Sequence, residues 1–179
     1  MDRMPDFHLS RPASYAEAAA LLAGDPQARL LAGGTDLVPN LRRRLESPTR
    51  LIDLGLVQGA DELEFGVTEL RLGAGVTLAR LAADPRIASD YAALGEAARS
   101  AAGPGHRSVA TLGGNLCLDT RCVFYNQSAW WRAANHGCLK YEGDTCHVAP
   151  QGQHCHAAYQ GDLAAPLLAI ALSGMISRR

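Results

Sequence analysis

The chain opens with short blocks of apolar residues set between polar and glycine-rich breaks, and the blocks change period several times. Residues 7–9 suit a short strand. Ser14-Tyr15-Ala16-Glu17 has capping-box spacing ahead of Ala-Ala-Ala-Leu-Leu-Ala, which predicts a helix over 15–23 that Gly24-Asp25-Pro26 stops. Residues 28–32 then read as a buried strand. Gly33-Gly34-Thr35-Asp36 follows as a turn, and apolar positions 37, 38, 41 and 45 predict a helix with Arg42, Arg43 and Arg44 largely on its solvated side. Residues 51–54 form a further strand, with Asp53 a solvated or capping carboxylate. Residues 63–67 and 69–74 suit a hairpin, Thr77 caps a helix through Leu81, Pro85 interrupts its continuation, and 91–101 is an Ala-rich helix closed by Gly103-Pro104-Gly105. Near the end, Asp162 precedes Pro166-Leu167-Leu168-Ala169-Ile170-Ala171-Leu172, read as a buried helix with proline near its first turn. The pattern is α+β with short elements.

The periodicity fails between the second glycine turn, Thr111-Leu112-Gly113-Gly114-Asn115, and Asp162. All five cysteines, 117, 122, 138, 146 and 155, lie there among His, Gly, Asn and Gln, so the stretch reads as a long irregular loop. Structureless connections of such length are rare in compact domains, and Phe124, Tyr125, Trp130 and Trp131 give it apolar mass that a solvated tail does not need. Thiolates in fourfold number can order such a segment by holding zinc or an iron-sulfur cluster, with ligation energy standing in for a core. Cys122, Cys138, Cys146 and Cys155 are separated by 15, 7 and 8 residues. That spacing matches neither the compact ferredoxin run nor the paired motifs of zinc ribbons, so it leaves both metals open.

Composition narrows the function classes. With 179 residues, 47% hydrophobic and 20% charged, the chain has enough apolar mass for one sizeable core or two small lobes. A net charge of −1 gives no electrostatic case for nucleic acid or an anionic membrane. The first residues lack the apolar run of a signal peptide and no stretch has the length of a membrane span, which points to the cytoplasm. Thiols stay reduced there, and an odd number of clustered cysteines suits metal ligation better than disulfides.

Each glycine turn allows close backbone approach, and N–H groups at a helix start face an anion such as a pyrophosphate. Two such turns suit a ligand held from both sides. Neither is the dinucleotide fingerprint of a Rossmann unit.

Ala32-Gly33-Gly34-Thr35-Asp36 and Thr111-Leu112-Gly113-Gly114-Asn115, in this order and separation, resemble the two flavin-binding turns of the FAD-binding medium subunit of the xanthine dehydrogenase and molybdenum hydroxylase family; Asp162 with Pro166-Leu167-Leu168-Ala169 resembles that family's next block. The resemblance implies a PCMH-type FAD-binding fold of two small α/β lobes, residues 1–55 and 56–179, with FAD between them. The implied flavin site is Leu31, Ala32, Gly33, Gly34, Thr35, Asp36, Thr111, Gly113, Gly114, Asn115 and Asp162.

Family members pass from the second turn to the Asp block by a short connection, where this chain carries about forty further residues, within 117–160. The insert resembles that of the 4-hydroxybenzoyl-CoA reductase beta subunit. This implies Cys122, Cys138, Cys146 and Cys155 as ligands of a [4Fe-4S] cluster, with Cys117 a core thiol outside the set. The four insert histidines read as surface groups or donors to cluster sulfurs and carbonyls, and Trp130 and Trp131 as loop packing.

The function so implied is electron transfer, with no residue of this chain acting as acid, base or nucleophile towards the substrate. Reduced ferredoxin would feed the cluster and FAD, and a [2Fe-2S] small subunit would pass electrons to a molybdopterin large subunit that dehydroxylates 4-hydroxybenzoyl-CoA. An oxidative relative of the xanthine, aldehyde or carbon monoxide type, and a zinc-stabilised binding module, are the alternatives. Relatives continue beyond the helix after Asp162, so the second lobe is expected to be incomplete, with weak FAD binding and poor solubility of the isolated chain.

Overall fold

The computed structural model describes residues 4–176. Three short strands, β1 (His8–Ser10), β2 (Arg29–Leu31) and β3 (Arg50–Asp53), form a parallel sheet in the order β1-β3-β2. β3 is central because it alone is apolar on both faces; Leu51 and Ile52 are buried. β2 is therefore an edge strand, with Leu30 44% exposed, which corrects the buried strand expected over 28–32. Of that block only Ala28 is buried, against Ala18 and Ile52.

The crossover from β1 to β2 is α1 (Tyr15–Gly24). Ser14 Oγ accepts from Glu17 N–H and Glu17 returns a carboxylate oxygen to Ala13 N–H at 2.9 Å, so the box closes one residue early. After the first glycine turn comes α2 (Leu37–Arg42), shorter than expected because Arg44 turns left-handed at φ 54°. Asp53 caps a single 3₁₀ turn, Leu54–Leu56, through Gly55 N–H.

The hairpin of β4 (Leu63–Phe65) and β5 (Leu70–Leu72) opens the second half. It leads to α3 (Leu78–Ala83), α4 (Pro85–Asp90) and α5 (Ala92–Ser100). Pro85 does interrupt α3, and it also starts α4, where Asp84 accepts from Arg86 and Ile87 N–H. Val76, Leu78, Leu81, Ile87, Leu94 and Ala98 from these segments make the larger core, and Leu112 and Leu163 close it. Each such Leu contributes roughly 1.5–3 kcal/mol by leaving water.

A short α6 (Pro104–Arg107) precedes the second glycine segment, which is not a turn ahead of a helix but a helix itself, α7 (Leu112–Leu116). Residues 117–163 then lack regular structure except for α8 (Ala129–Ala134), capped by Ser128, and isolated bridges. α9 (Ala164–Ile176) ends the described chain. Expected buried, it shows none of residues 164–171 fully enclosed, and Leu168 is 64% exposed. Leu167 and Ile170 pack on the core along one side only. Among the described residues no helix is long and apolar enough to cross a membrane.

Candidate functional site

The first glycine segment packs on the residues that lead into the second, and the second packs on Ala74, each where backbone takes the place of a side chain. A Cβ on Gly33 would lie 2.0 Å from the carbonyl oxygen of Val109, and one on Gly113 would lie 2.7 Å from Ala74 Cβ. Only glycine permits either approach. Both contacts are protein on protein, so these glycines are fixed by the fold before any ligand enters.

Residues 74–78 run antiparallel to 110–113, through Leu78 N–H to Ala110 O, Leu112 N–H to Val76 O and Gly113 N–H to Ala74 O. Thr111 Oγ1 takes Gly114 N–H at 3.1 Å, and Asn115 N–H goes to Thr111 O. Every N–H at the head of α7 is thus already bonded, and the expectation that this segment offers donors to an anion is corrected. At the first segment, by contrast, the N–H groups of Gly33, Gly34, Thr35 and Asp36 make no hydrogen bond among the described residues. Gly34 is left-handed there (φ 71°), and successive free amides around such a residue make an anion-binding concavity.

Between the segments lies a cavity of about 1090 Å³, at the upper end of what ligand clefts enclose. Ala32, Gly33, Gly34, Thr35, Asp36, Thr111, Gly113, Gly114 and Asn115 line it. Leu31 and Asp162, also expected in the site, do not. Leu31 packs behind Gly34, its Cδ1 within 3.3 Å of where a Cβ would stand. Asp162 accepts from Asn115 Nδ2 at 2.8 Å, while Asn115 Oδ1 takes Leu163 N–H at 3.0 Å. The Asn115 amide is spent on tying α7 to the head of α9, so its part in the cavity is structural. Cys117 is exposed on the cavity wall, which corrects its reading as a core thiol. Size, glycine walls and free amides fit an extended dinucleotide such as FAD.

Cys122, Cys138, Cys146 and Cys155 line one separate small pocket with Phe124, Lys140 and His147. Backbone N–H groups point at the sulfurs: Tyr125 to Cys122 at 3.3 Å and Ala157 to Cys155 at 3.4 Å. The Cys146 thiol is held below its usual range by N–H bonds, that of His156 foremost and that of Ala149 next. Such bonds favour thiolate, the ligating form. Among the described residues no three His, Cys, Asp or Glu side chains converge on the space of a single ion. Four thiols lining one pocket are the donor type that either zinc or an iron-sulfur group takes. Phe124 stacks on Trp131, and His147 lies tilted against the first ring and edge-on to the second, with Nε2 2.7 Å from Gly137 O. Trp131 is loop packing as expected, whereas Trp130 is 78% exposed and packs little.

Sequence reasoning missed the residues that join the two sites. Arg121, next to Cys122, donates from Nη2 to Asp36 in the cavity at 2.8 Å. Its N–H and C=O pair with Ala158 at the other end of the insert. Lys140, from the cysteine pocket, donates to Asp119 at 2.8 Å and to the Thr120 carbonyl and hydroxyl. Asp119 loses some stabilisation to burial, but the Lys140 bond, Thr120 N–H and the charges of Lys140 and Arg121 outweigh it and hold the carboxyl below its ordinary range. Arg132, buried within α8, reaches the Arg44 carbonyl at 2.8 Å and docks the insert on the first sheet unit.

Residues 5–173 match the family model described as FAD binding domain in molybdopterin dehydrogenase. The chain is 37% identical over 169 residues to the Escherichia coli aldehyde oxidoreductase FAD-binding subunit PaoB, covering 90% of this chain and 52% of that protein. It is 36% identical over 114 residues to the nicotine 6-hydroxylase medium subunit of Paenarthrobacter nicotinovorans, covering 64% of this chain and 40% of that one. Among solved structures, quinoline 2-oxidoreductase from Pseudomonas putida 86 superposes with a TM-score of 0.61 at 38% identity, over 64% of this chain and 40% of that one. The chain thus spans about half or less of the length of these relatives.

Proposed function

The chain belongs to the family of FAD-binding domains in molybdopterin dehydrogenases, and from that premise we propose that it is a flavin and [4Fe-4S] electron-transfer subunit of a multi-subunit molybdenum enzyme. One observation carries the reading: Asp119 and Arg121 line the large cavity while Cys122, the next residue, lines the cysteine pocket, so one short segment serves both sites. A flavin passes one or two electrons and an iron-sulfur cluster one, which makes adjacent sites a relay.

In this reading residues 1–55 and 56–179 are the two lobes around the flavin. The free N–H groups of 33–36 receive the diphosphate, Gly114 and Thr111 form the opposite wall, and Asn115 with Asp162 holds that wall in place. Cys122, Cys138, Cys146 and Cys155 ligate the cluster. The partners are a molybdopterin large subunit and a [2Fe-2S] small subunit, in the cytoplasm.

The four-cysteine pattern motivates the specific form of a 4-hydroxybenzoyl-CoA reductase, reduced by ferredoxin. A different observation favours an oxidative form acting on aldehydes. Similarity to the aldehyde oxidoreductase subunit runs over nine-tenths of the chain and so spans the insert, whereas similarity to the nicotine 6-hydroxylase subunit covers only 64% of it.

Anaerobic reconstitution tests the relay. It should yield about four iron and four sulfide per chain with flavin and iron-sulfur absorption. Replacing Cys138 should remove the cluster, and Cys117→Ser should keep it. Stoichiometric zinc without sulfide would overturn the assignment. Reduction of the reconstituted chain by ferredoxin, against its reduction by an aldehyde through the assembled complex, separates the two directions.

A further inference from the structure

The charges around the large cavity are the wrong sign for its proposed ligand. Four carboxylates line it, Asp36, Glu46, Asp61 and Asp119, against two guanidiniums, Arg29 and Arg121. A diphosphate adds further negative charge. Glu46 is matched by Arg29 at 3.0 Å, within the first sheet unit. Asp36 and Asp119 are matched from the insert, by Arg121 and Lys140, each at 2.8 Å.

Asp36 matters most, since it ends the turn whose free amides face the cavity, and its N–H is one of them. Its partner is tightly held. The Arg121 side chain is 12% exposed, its backbone N–H and C=O both pair with Ala158, its guanidinium lies 5.6 Å from the Tyr125 ring, and Nη1 is buried with no hydrogen-bond partner among the described residues. Burying an unsatisfied guanidinium nitrogen is costly, and such groups call for an explanation beyond stability. Arginine stays charged at every working pH.

We propose that Arg121 determines the anion specificity of the flavin cavity: by neutralising Asp36 it turns a wall that repels a diphosphate into one that accepts it. The inference rests on the flavin reading above. It gives the insert a second role, electrostatic completion of a cavity formed by the rest of the chain. Two unit charges a few ångströms apart near a protein surface interact strongly enough to change binding by tenfold or more, and salt weakens the effect.

The test is fluorescence titration of FAD into the full chain, as wild type, R121Q, D36N and the double variant D36N/R121Q, with circular dichroism to check folding. R121Q is expected to weaken binding at least tenfold at low salt, less so at high salt. D36N, which leaves Arg121 uncompensated at the wall, should bind FAD more tightly than wild type at low salt, and the double variant should regain most of what R121Q loses, because the repelling carboxylate is gone. Equal losses in R121Q and D36N, without recovery in the double variant, would mean that the pair only docks the insert and would overturn the proposal. If R121Q does not fold, D36N decides: tighter FAD binding at low salt supports the proposal, and unchanged or weaker binding overturns it. A folded wild-type chain that takes up no FAD overturns the flavin reading, and the proposal with it; a wild type that binds while R121Q binds equally well overturns the proposal alone.

Discussion

At the scale of single residues, the glycines separate into those the fold needs and those a ligand would need. Gly33→Val sets a Cβ against the Val109 carbonyl, so it should destabilise the chain by about 3 kcal/mol or more, read by thermal unfolding. Gly114→Ala meets only Thr111 Oγ1 at 3.0 Å and Ala32 Cβ at 3.8 Å, so the fold should survive and FAD affinity should report the wall's approach to the ligand. Thr111→Ala removes the acceptor for Gly114 N–H and should cost about 1 kcal/mol. The caps at Ser14, Thr77 and Asp53 were legible from sequence because both partners lie within three residues of each other. Arg121 and Asp36 stand 85 positions apart, and no local pattern carries such a pair.

At the scale of elements, what sequence periodicity conveyed was the existence and type of each segment more than its burial. Residues 28–32 and α9 are apolar enough to be buried, yet the neighbours each one packs against lie on one side only. α8 was invisible for another reason: at six residues it is too short to establish a period, and Arg132 within it is buried by hydrogen bonds, not by hydrophobicity. The segment leading into the insert is held by Asp119 and Lys140, and this link has a pH dependence whose sign is fixed. The folded-state pKa of Asp119 lies below its ordinary value of 3.8. The link therefore stabilises in full above that value and is lost as pH falls through the lowered one. Lys140→Met should shift the acid-induced loosening of this segment to higher pH, toward the ordinary carboxylate range. Hydrogen exchange at the Arg121 and Ala158 amides across an acid titration measures it, and an unchanged profile would show the link to be idle.

At the scale of the whole molecule, the larger core lies beside α3 and α5, away from the insert, and bears most of the hydrophobic stabilisation. Leu81→Ala, at a fully buried position, should cost roughly 2–5 kcal/mol and lower the melting temperature without displacing the cysteines, so that iron content after reconstitution is unchanged. The pairing of the two glycine segments across the cavity and the gathering of four cysteines round one pocket were both legible as expectations, since each rests on residue types with few other uses in such numbers. The join between the two sites was not, because Arg121 meets Asp36, far away in sequence, and the ends of the insert are closed by backbone pairing of Arg121 with Ala158, which any residues could form. That bridge has an evolutionary consequence. Everything between its two residues leaves the cavity-forming part of the chain and returns to it at one point, in the manner of a cassette ligated into a pre-existing gene. Its excision should therefore need no redesign of the host: joining Arg121 to Ala158 through an Asn-Gly turn should give a shortened chain that folds and keeps its large cavity while losing the four-cysteine pocket, as thermal unfolding and FAD titration would check.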